Sequence, residues 1–195
     1  MSVSNDFKAE EKRRLCALVI GHKKNSPGAA SSDGSISEFV FNEQLAVLIE
    51  GKVTQADVQR VYRRTLESLP HDINNLNPDF IISLHCNSFH QKATGTEVLY
   101  YHKSERGKGA AAVLQKHLVG HLGLKNRGTK PKNAEERGGY LLKYTKAPCI
   151  ISEPFFISNN DDLARAQEDF AGLAAACAAA IDEIALDDEI SGWKS

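Results

Sequence analysis

Four residues of this chain combine the types and placements that hydrolytic metal chemistry requires: His22, Glu38, His85 and Glu153. Two imidazoles and one carboxylate form a ligand set that binds zinc and leaves a fourth position open for water. A second carboxylate beside such a set can act as general base and acid. Counted from His22, the intervals are 16 residues to Glu38, 63 to His85 and 131 to Glu153, so no local pattern of the HExxH kind joins them. Spacing alone is therefore a weak signal, because a histidine at a strand end is more often a hydrogen-bonded structural residue than a ligand.

What makes the set worth pursuing is the elements that must position it. Leu15 to Ile20 (LCALVI) is a continuous apolar run that stops at Gly21, the pattern of a strand covered on both faces, and His22 follows it. The segment GHKKNSPGAASSDGS is a long loop rich in Gly, Ser and Pro. Ser35 to Glu50 reads as a helix capped by Ser35 or Ser37, with Phe41, Leu45, Leu48 and Ile49 at helical spacing. Glu38 extends that apolar stripe by one turn, whereas Glu43 and Glu50 share another face. Val58 to Tyr62, Asp79 to His85, Thr96 to Tyr101, Tyr140 to Leu142 and Cys149 to Ser152 are expected strands. Gly107 to Leu122 and Asp161 to Leu186 are expected helices, the second capped by Asn159 or Asn160 and burying Leu163, Phe170, Leu173, Cys177, Ile181 and Ile184.

Strands alternating with helices predict a single-domain α/β three-layer sandwich, a mostly parallel twisted sheet with helices on both faces. The expected organisation is an extension over residues 1–14 and a catalytic domain over 15–190. Open α/β sheets place their sites at the carboxyl ends of strands. His22 and His85 sit at such ends, and Glu153 joins them if its strand runs parallel to the first.

Composition limits the partners. With 24 basic against 25 acidic residues and a formal charge of −1, the chain lacks the cationic excess that nucleic-acid or anionic-membrane binding draws on. The longest run of small or apolar residues, Ala171 to Ile181, falls short of the roughly 20 needed to span a bilayer. The charged start MSVSNDFKAEEKRRL has no apolar core of a secretory signal, which predicts synthesis in the cytosol. Cys16, Cys86, Cys149 and Cys177 form no CxxC pair and read as buried small hydrophobes. At 195 residues the chain can bury roughly 70% of its unfolded surface and needs no metal to fold, so any metal is expected to serve chemistry.

GH after an apolar strand, SExxxN opening a helix, SLHCN, GTEVLYY and SEPFFISN, in this order from about Leu15 to Leu186, resemble the zinc-dependent N-acetylmuramoyl-L-alanine amidases of the Amidase_3 type. The likeness is greatest to phage endolysin catalytic domains acting on clostridial-type cell walls. The resemblance implies that one zinc ion per chain is bound by His22, Glu38 and His85, and that Glu153 is the general base and acid. Glu38 is preferred to Glu43 because it precedes Asn42 by four residues, as the family glutamate precedes an asparagine. The implied substrate is peptidoglycan, cut between N-acetylmuramic acid and L-alanine of the stem peptide. An enzyme without a leader would be a phage or prophage endolysin, cytoplasmic on synthesis, that meets the wall after the membrane is permeabilised. Alternatives are a zinc peptidase or carboxypeptidase on a similar scaffold, and a non-catalytic wall-binding relative. Two stretches depart from the family pattern: TLESLPHDINNLNP, and HKKNSPGAA after the first histidine, which keeps the Gly28–Ala29 pair.

Lys125 to Lys146 holds seven basic residues against Glu135 and Glu136, and residues 160 to 195 hold nine acidic against two basic. A solvated loop is the simple reading of the basic stretch. The functional reading is contact with stem-peptide carboxylates. Arg127 is the first choice because a guanidinium grips a carboxylate with two bonds; Asn87 of SLHCN is the second expected substrate contact. His117 and His121 lie four apart on a helix but lack the adjoining glutamate of a zincin. His71 and His90 are expected to be exposed.

Overall fold

The computed structural model describes residues 12–192, so most of the expected extension at 1–14 lies outside the described residues. The LCALVI run is the greater part of β1 (Arg14–Ile20), whose residues 16–20 are wholly buried. Its side chains alternate between two apolar layers, Leu18 and Ile20 facing one, Ala17 and Val19 the other. That is why the sequence shows a continuous run and no alternation.

β1 pairs in parallel with β2 (Ala56–Tyr62) on one side and with β3 (Phe80–Leu84) on the other. β3 pairs in parallel with β6 (Cys149–Glu153). β4 (Thr96–Tyr101) runs antiparallel to β6 and carries β5 (Asn126–Lys132) in parallel at the edge. The resulting order is β2-β1-β3-β6-β4-β5. The mostly parallel sheet is thus as expected, and the parallel pairing of β6 brings Glu153 to the same edge as the two histidines.

One face of the sheet is covered by α1 (Glu38–Glu50), α3 (Glu105–Leu122) and α6 (Phe170–Leu186). Phe41 of α1 packs edge to face on Phe155 at 4.9 Å and on Phe170 at 5.1 Å, contacts worth about 0.5–1.5 kcal/mol each beyond their buried area. The other face is covered by the short helices α2 (Leu69–Leu76) and α4 (Gly139–Tyr144), through Leu69, Ile73, Leu141 and Leu142. Helices on both faces complete the three-layer sandwich.

Local expectations differ at four places. Tyr140 to Leu142 is helix α4 and no strand: after Gly138, at φ 82°, the chain makes a short helix that turns Leu141 and Leu142 into the second apolar layer. A three-residue apolar run does not distinguish strand from helix by itself. The expected single helix 161–186 is split into α5 (Asn160–Glu168) and α6 by Asp169, whose non-helical backbone stops one helix while its carboxylate caps the next at Gly172 N, 2.9 Å away. Asn159 caps α5. Helix α2 and strand β5 have no counterpart in the sequence reading. β5, NRGTKPK, is an edge strand, and Lys and Pro are residues that blunt such edges while hiding the apolar pattern of a strand. The chain ends, among the described residues, with α7 (Asp188–Ser191). Among them no helix is long and apolar enough to cross a membrane.

Candidate active site

His22 lies two residues beyond β1, His85 directly follows β3, and Glu153 is the last residue of β6. These three strands are adjacent and parallel, so their carboxyl ends converge. Glu38 is the first residue of α1, and the preceding Ser37 accepts a hydrogen bond from Val40 N at 3.4 Å as N-cap. A carboxylate at a helix amino terminus faces the positive end of the helix dipole.

The side chains meet as the sequence predicts. Ligand atoms of His22, Glu38 and His85 all lie within 4.8 Å of one another. Glu38 is fully buried. Its Oε1 accepts from Cys86 N at 3.1 Å and lies 2.8 Å from His85 Nδ1, and its Oε2 accepts from Ala29 N at 3.2 Å. Burial opposes its ionisation, but the two imidazoles beside it, His22 and His85, outweigh that and hold its carboxyl well below the usual carboxylate range. Behind it, Asn42 Nδ2 reaches Cys86 Sγ at 3.7 Å, which accounts for an asparagine four residues after the glutamate. All four cysteines are free and buried; burial pushes the Cys149 and Cys177 thiols up to about 12. They are buried, as read.

Two observations fit this trio to a cation. His22 Nε2 lies 3.1 Å from Glu38 Oε2 but is not aligned to donate to it, and it is a buried ring nitrogen with no hydrogen-bond partner. The backbone is also shaped around the donors at some cost. His22 has φ 66°, a left-handed conformation that costs a non-glycine residue roughly 1 kcal/mol or more. A Cβ on Gly28, at φ 80°, would lie 2.6 Å from both Glu38 Oε2 and the His22 ring, and one on Gly21 would lie 2.3 Å from Leu84 O and 2.7 Å from the His85 ring. A tetrahedral zinc site with bonds of about 2.0–2.1 Å sets its donors roughly 3.4 Å apart, so modest side-chain adjustment within this trio suffices. Gly28→Ala is accordingly expected to push Glu38 and His22 apart and weaken zinc binding roughly tenfold or more. Calorimetric zinc titration checks this, and parental affinity in the variant would show that the glycine is not needed for the site.

Glu153 completes the arrangement. It is 5% exposed and its Oε2 has no hydrogen-bond partner, yet it lines a cavity of about 400 Å³ together with His22 and His85. Burial first and then the charge of Glu38 push its pKa up to about 8, against the opposing charge of Arg137. The cavity wall is apolar on one side, with Leu66, Leu69, Leu99, Leu141 and Ile151. Ser83 also lines it, its hydroxyl buried and unpartnered.

Among curated and solved proteins the same sequence pattern and fold recur. Residues 16–183 match the family described as N-acetylmuramoyl-L-alanine amidase. The chain belongs to that family. Among amidase-family relatives, N-acetylmuramoyl-L-alanine amidase LytC of Bacillus subtilis (strain 168) is 25% identical over 175 residues, 85% of this chain and 34% of LytC. The chain spans less than half the length of the curated relatives it matches. An N-acetylmuramoyl-L-alanine amidase from Clostridium difficile 630 shares the fold with a TM-score of 0.77 at 23% identity, over 88% of this chain and 96% of that one. The catalytic domain of the CD27L endolysin targeting Clostridia difficile shares it with a TM-score of 0.66 at 23% identity, over 88% and 97%.

The amidase-family fold does not bring every expected residue into the cavity. Arg127 Nε donates to Glu97 Oε2 at 2.8 Å with its guanidinium 5.0 Å over the Phe156 ring, and Asn87 Nδ2 donates to Glu97 Oε1 at 2.7 Å. Both line a neighbouring hollow of about 460 Å³. Glu97 stands opposite Glu153 across the β4–β6 pair, so Arg127 neutralises, and Asn87 hydrogen-bonds, a carboxylate that would otherwise confront a like charge. His117 Nε2 binds Glu183 Oε2 at 2.7 Å, and His121 Nε2 lies 3.2 Å from Asp169 O; both tie α3 to its neighbours and neither joins a metal cluster among the described residues. His71 and His90 are exposed. The cavity residues that the sequence reading missed are Arg63, Ser83 and Arg137. Only Arg137 had a signal, its place in the basic stretch.

Proposed function

We propose that this chain hydrolyses the amide bond between the lactyl group of N-acetylmuramic acid and L-alanine of the peptidoglycan stem, with His22, Glu38 and His85 as ligands of one zinc ion. The observation that carries this reading is that His22, Glu38 and His85 gather their ligand atoms within 4.8 Å of one another while the two histidines share a cavity with the buried Glu153, whose Oε2 is unpartnered, in an amidase-family fold. An amide is a weak electrophile with a poor leaving group, so its hydrolysis needs a nucleophile at neutral pH, a stabilised oxyanion and a proton for the departing nitrogen. Zinc, when bound, supplies Lewis acidity for the first two of these.

The rest falls to this chain's own side chains. Glu153 Oε2 accepts the proton of the attacking water and returns it to the leaving nitrogen. A carboxyl whose pKa burial has raised toward neutrality is suited to both directions of that transfer. Glu38 stays ionised beside the two imidazoles and fixes the orientation of His85. The apolar wall of Leu66, Leu69, Leu99, Leu141 and Ile151 excludes water and receives the methyl groups on either side of the scissile amide. Asn87 and Arg127, in the adjoining hollow, are the proposed further contacts to the peptide.

The proposed setting is that of a phage or prophage endolysin, made in the cytosol and acting on the wall after the membrane is breached; the likeness to the CD27L catalytic domain supports it. Digestion of purified peptidoglycan with and without a chelator tests the reaction. The expected result is chelator-sensitive release of new amino-terminal L-alanine with no new reducing ends. Free amino acids or shorter peptides would indicate a peptidase, and wall binding without any new termini would indicate a non-catalytic relative.

A further inference from the structure

The cavity that contains Glu153 is lined by two guanidinium groups, Arg63 just beyond β2 and Arg137 in the loop before α4. Neither makes a hydrogen bond or an ion pair with any described residue, although seven of the thirteen ion pairs among those residues use an arginine. Of the acids nearby, Glu136 is already held by Lys132 at 3.4 Å and by Asn133 N, Glu135 pairs with neither arginine, and Glu67 feels the charge of Arg63 without forming an ion pair with it. Arg127, by contrast, is committed to Glu97. Two unpaired planar forks beside an apolar wall form a site for a carboxylate, which a guanidinium binds through two parallel hydrogen bonds. The charge of Arg137 also reaches Glu153, which places it within range of the reacting end of the cavity.

We propose that Arg63 and Arg137 are specificity-determining residues that bind a carboxylate on the residue following L-alanine, so that the cavity selects acidic stems over amidated ones. This rests on the amidase reading for the identity of the ligand. The apolar wall holds the lactyl and alanyl methyls, and the arginines hold the charge one residue further on. A carboxamide presents one acceptor and no charge, so it leaves one fork unfilled.

The test is calorimetric binding to zinc-loaded Glu153→Gln protein of two probes, a muramoyl dipeptide with glutamate in the second position and its α-carboxamide form, the other carboxylate capped in both. The expected preference for the free carboxylate is roughly tenfold or more, declining with salt. In the Arg63→Gln/Arg137→Gln double variant the preference should fall below about threefold, and Arg137→Lys should keep part of it, since an ammonium supplies charge without the fork. Equal affinity for the two probes, or a double variant that weakens both by the same factor, would overturn the proposal. Hydrolysis of both probes by the parent separates the two levels. A chain that cleaves both yet binds them equally is an amidase without this selectivity, and one that cleaves neither yet retains the preference has the carboxylate site without the amidase reaction.

Discussion

Glu153→Gln is expected to lower the rate of muramoyl-L-alanine hydrolysis roughly a hundredfold to ten-thousandfold while leaving zinc content at one ion per chain. The substitution keeps the shape of a side chain that is 5% exposed and removes only its ability to take up and return a proton. It should also stabilise the metal-free protein. The folded-state value of about 8 lies above the ordinary carboxyl value of 4.5. Between those pH values the unfolded chain has lost a proton that the folded chain still holds, so the stability of the parent declines as pH rises from 4.5 through 8. Glutamine has no charge to bury. The variant's advantage should be near zero at pH 4 and about 1–3 kcal/mol at pH 8, read from denaturant or thermal unfolding. A zinc-loaded variant with parental turnover would remove Glu153 from the mechanism; a variant advantage that grows toward acid pH would contradict the proposed desolvation of its carboxyl.

The second large effect is expected at Glu38. Glu38→Gln should weaken zinc binding at least about a hundredfold and reduce amide hydrolysis in proportion, because a neutral amide replaces the only anionic donor of the trio. Folding suffers as well. Cys86 N and Ala29 N both donate to the carboxylate, on different oxygens. An amide offers one oxygen, so one buried donor faces an NH2 group, at a cost of about 1–3 kcal/mol. Since its neighbours hold the Glu38 carboxyl well below the usual range, the stability it contributes is fully present above pH 4.5 and is lost only as pH falls toward its folded value. The difference between parent and variant should therefore shrink in strong acid. Zinc content after dialysis against a zinc buffer, with melting curves across pH, decides the matter. One zinc per chain at parental affinity in the variant would exclude Glu38 as a ligand.

Much of this was legible in the residues because the chemistry sits at element boundaries that local rules mark. LCALVI, DFIISLH and CIIS are apolar enough to be strands covered on both faces, and a glycine or a polar residue ends each, so His22, His85 and Glu153 could be assigned to strand ends. The helical spacing of Phe41, Leu45 and Ile49 fixed the face on which Glu38 lies, and that face is buried as the stripe requires. Leu48 of the same stripe is 38% exposed, since four apolar positions span more of the helix than the sheet covers.

What sequence could not decide were matters of pairing between segments far apart in the chain. Strand β5 carries no apolar pattern because its outer edge meets solvent, and only its partner β4 makes it a strand. Arg127 and Arg137 are both basic residues of one polar stretch, equivalent by composition. The fold separates them: β5 sets Arg127 against Glu97, while the loop before α4 carries Arg137 to the cavity of Glu153. The sequence by itself determined which side chains end the strands and which face of α1 is apolar, because periodicity and chain breaks are local. The parallel order of β1, β3 and β6, which makes one site of residues up to 131 positions apart, was decided by tertiary structure alone, since it depends on which strands share hydrogen bonds.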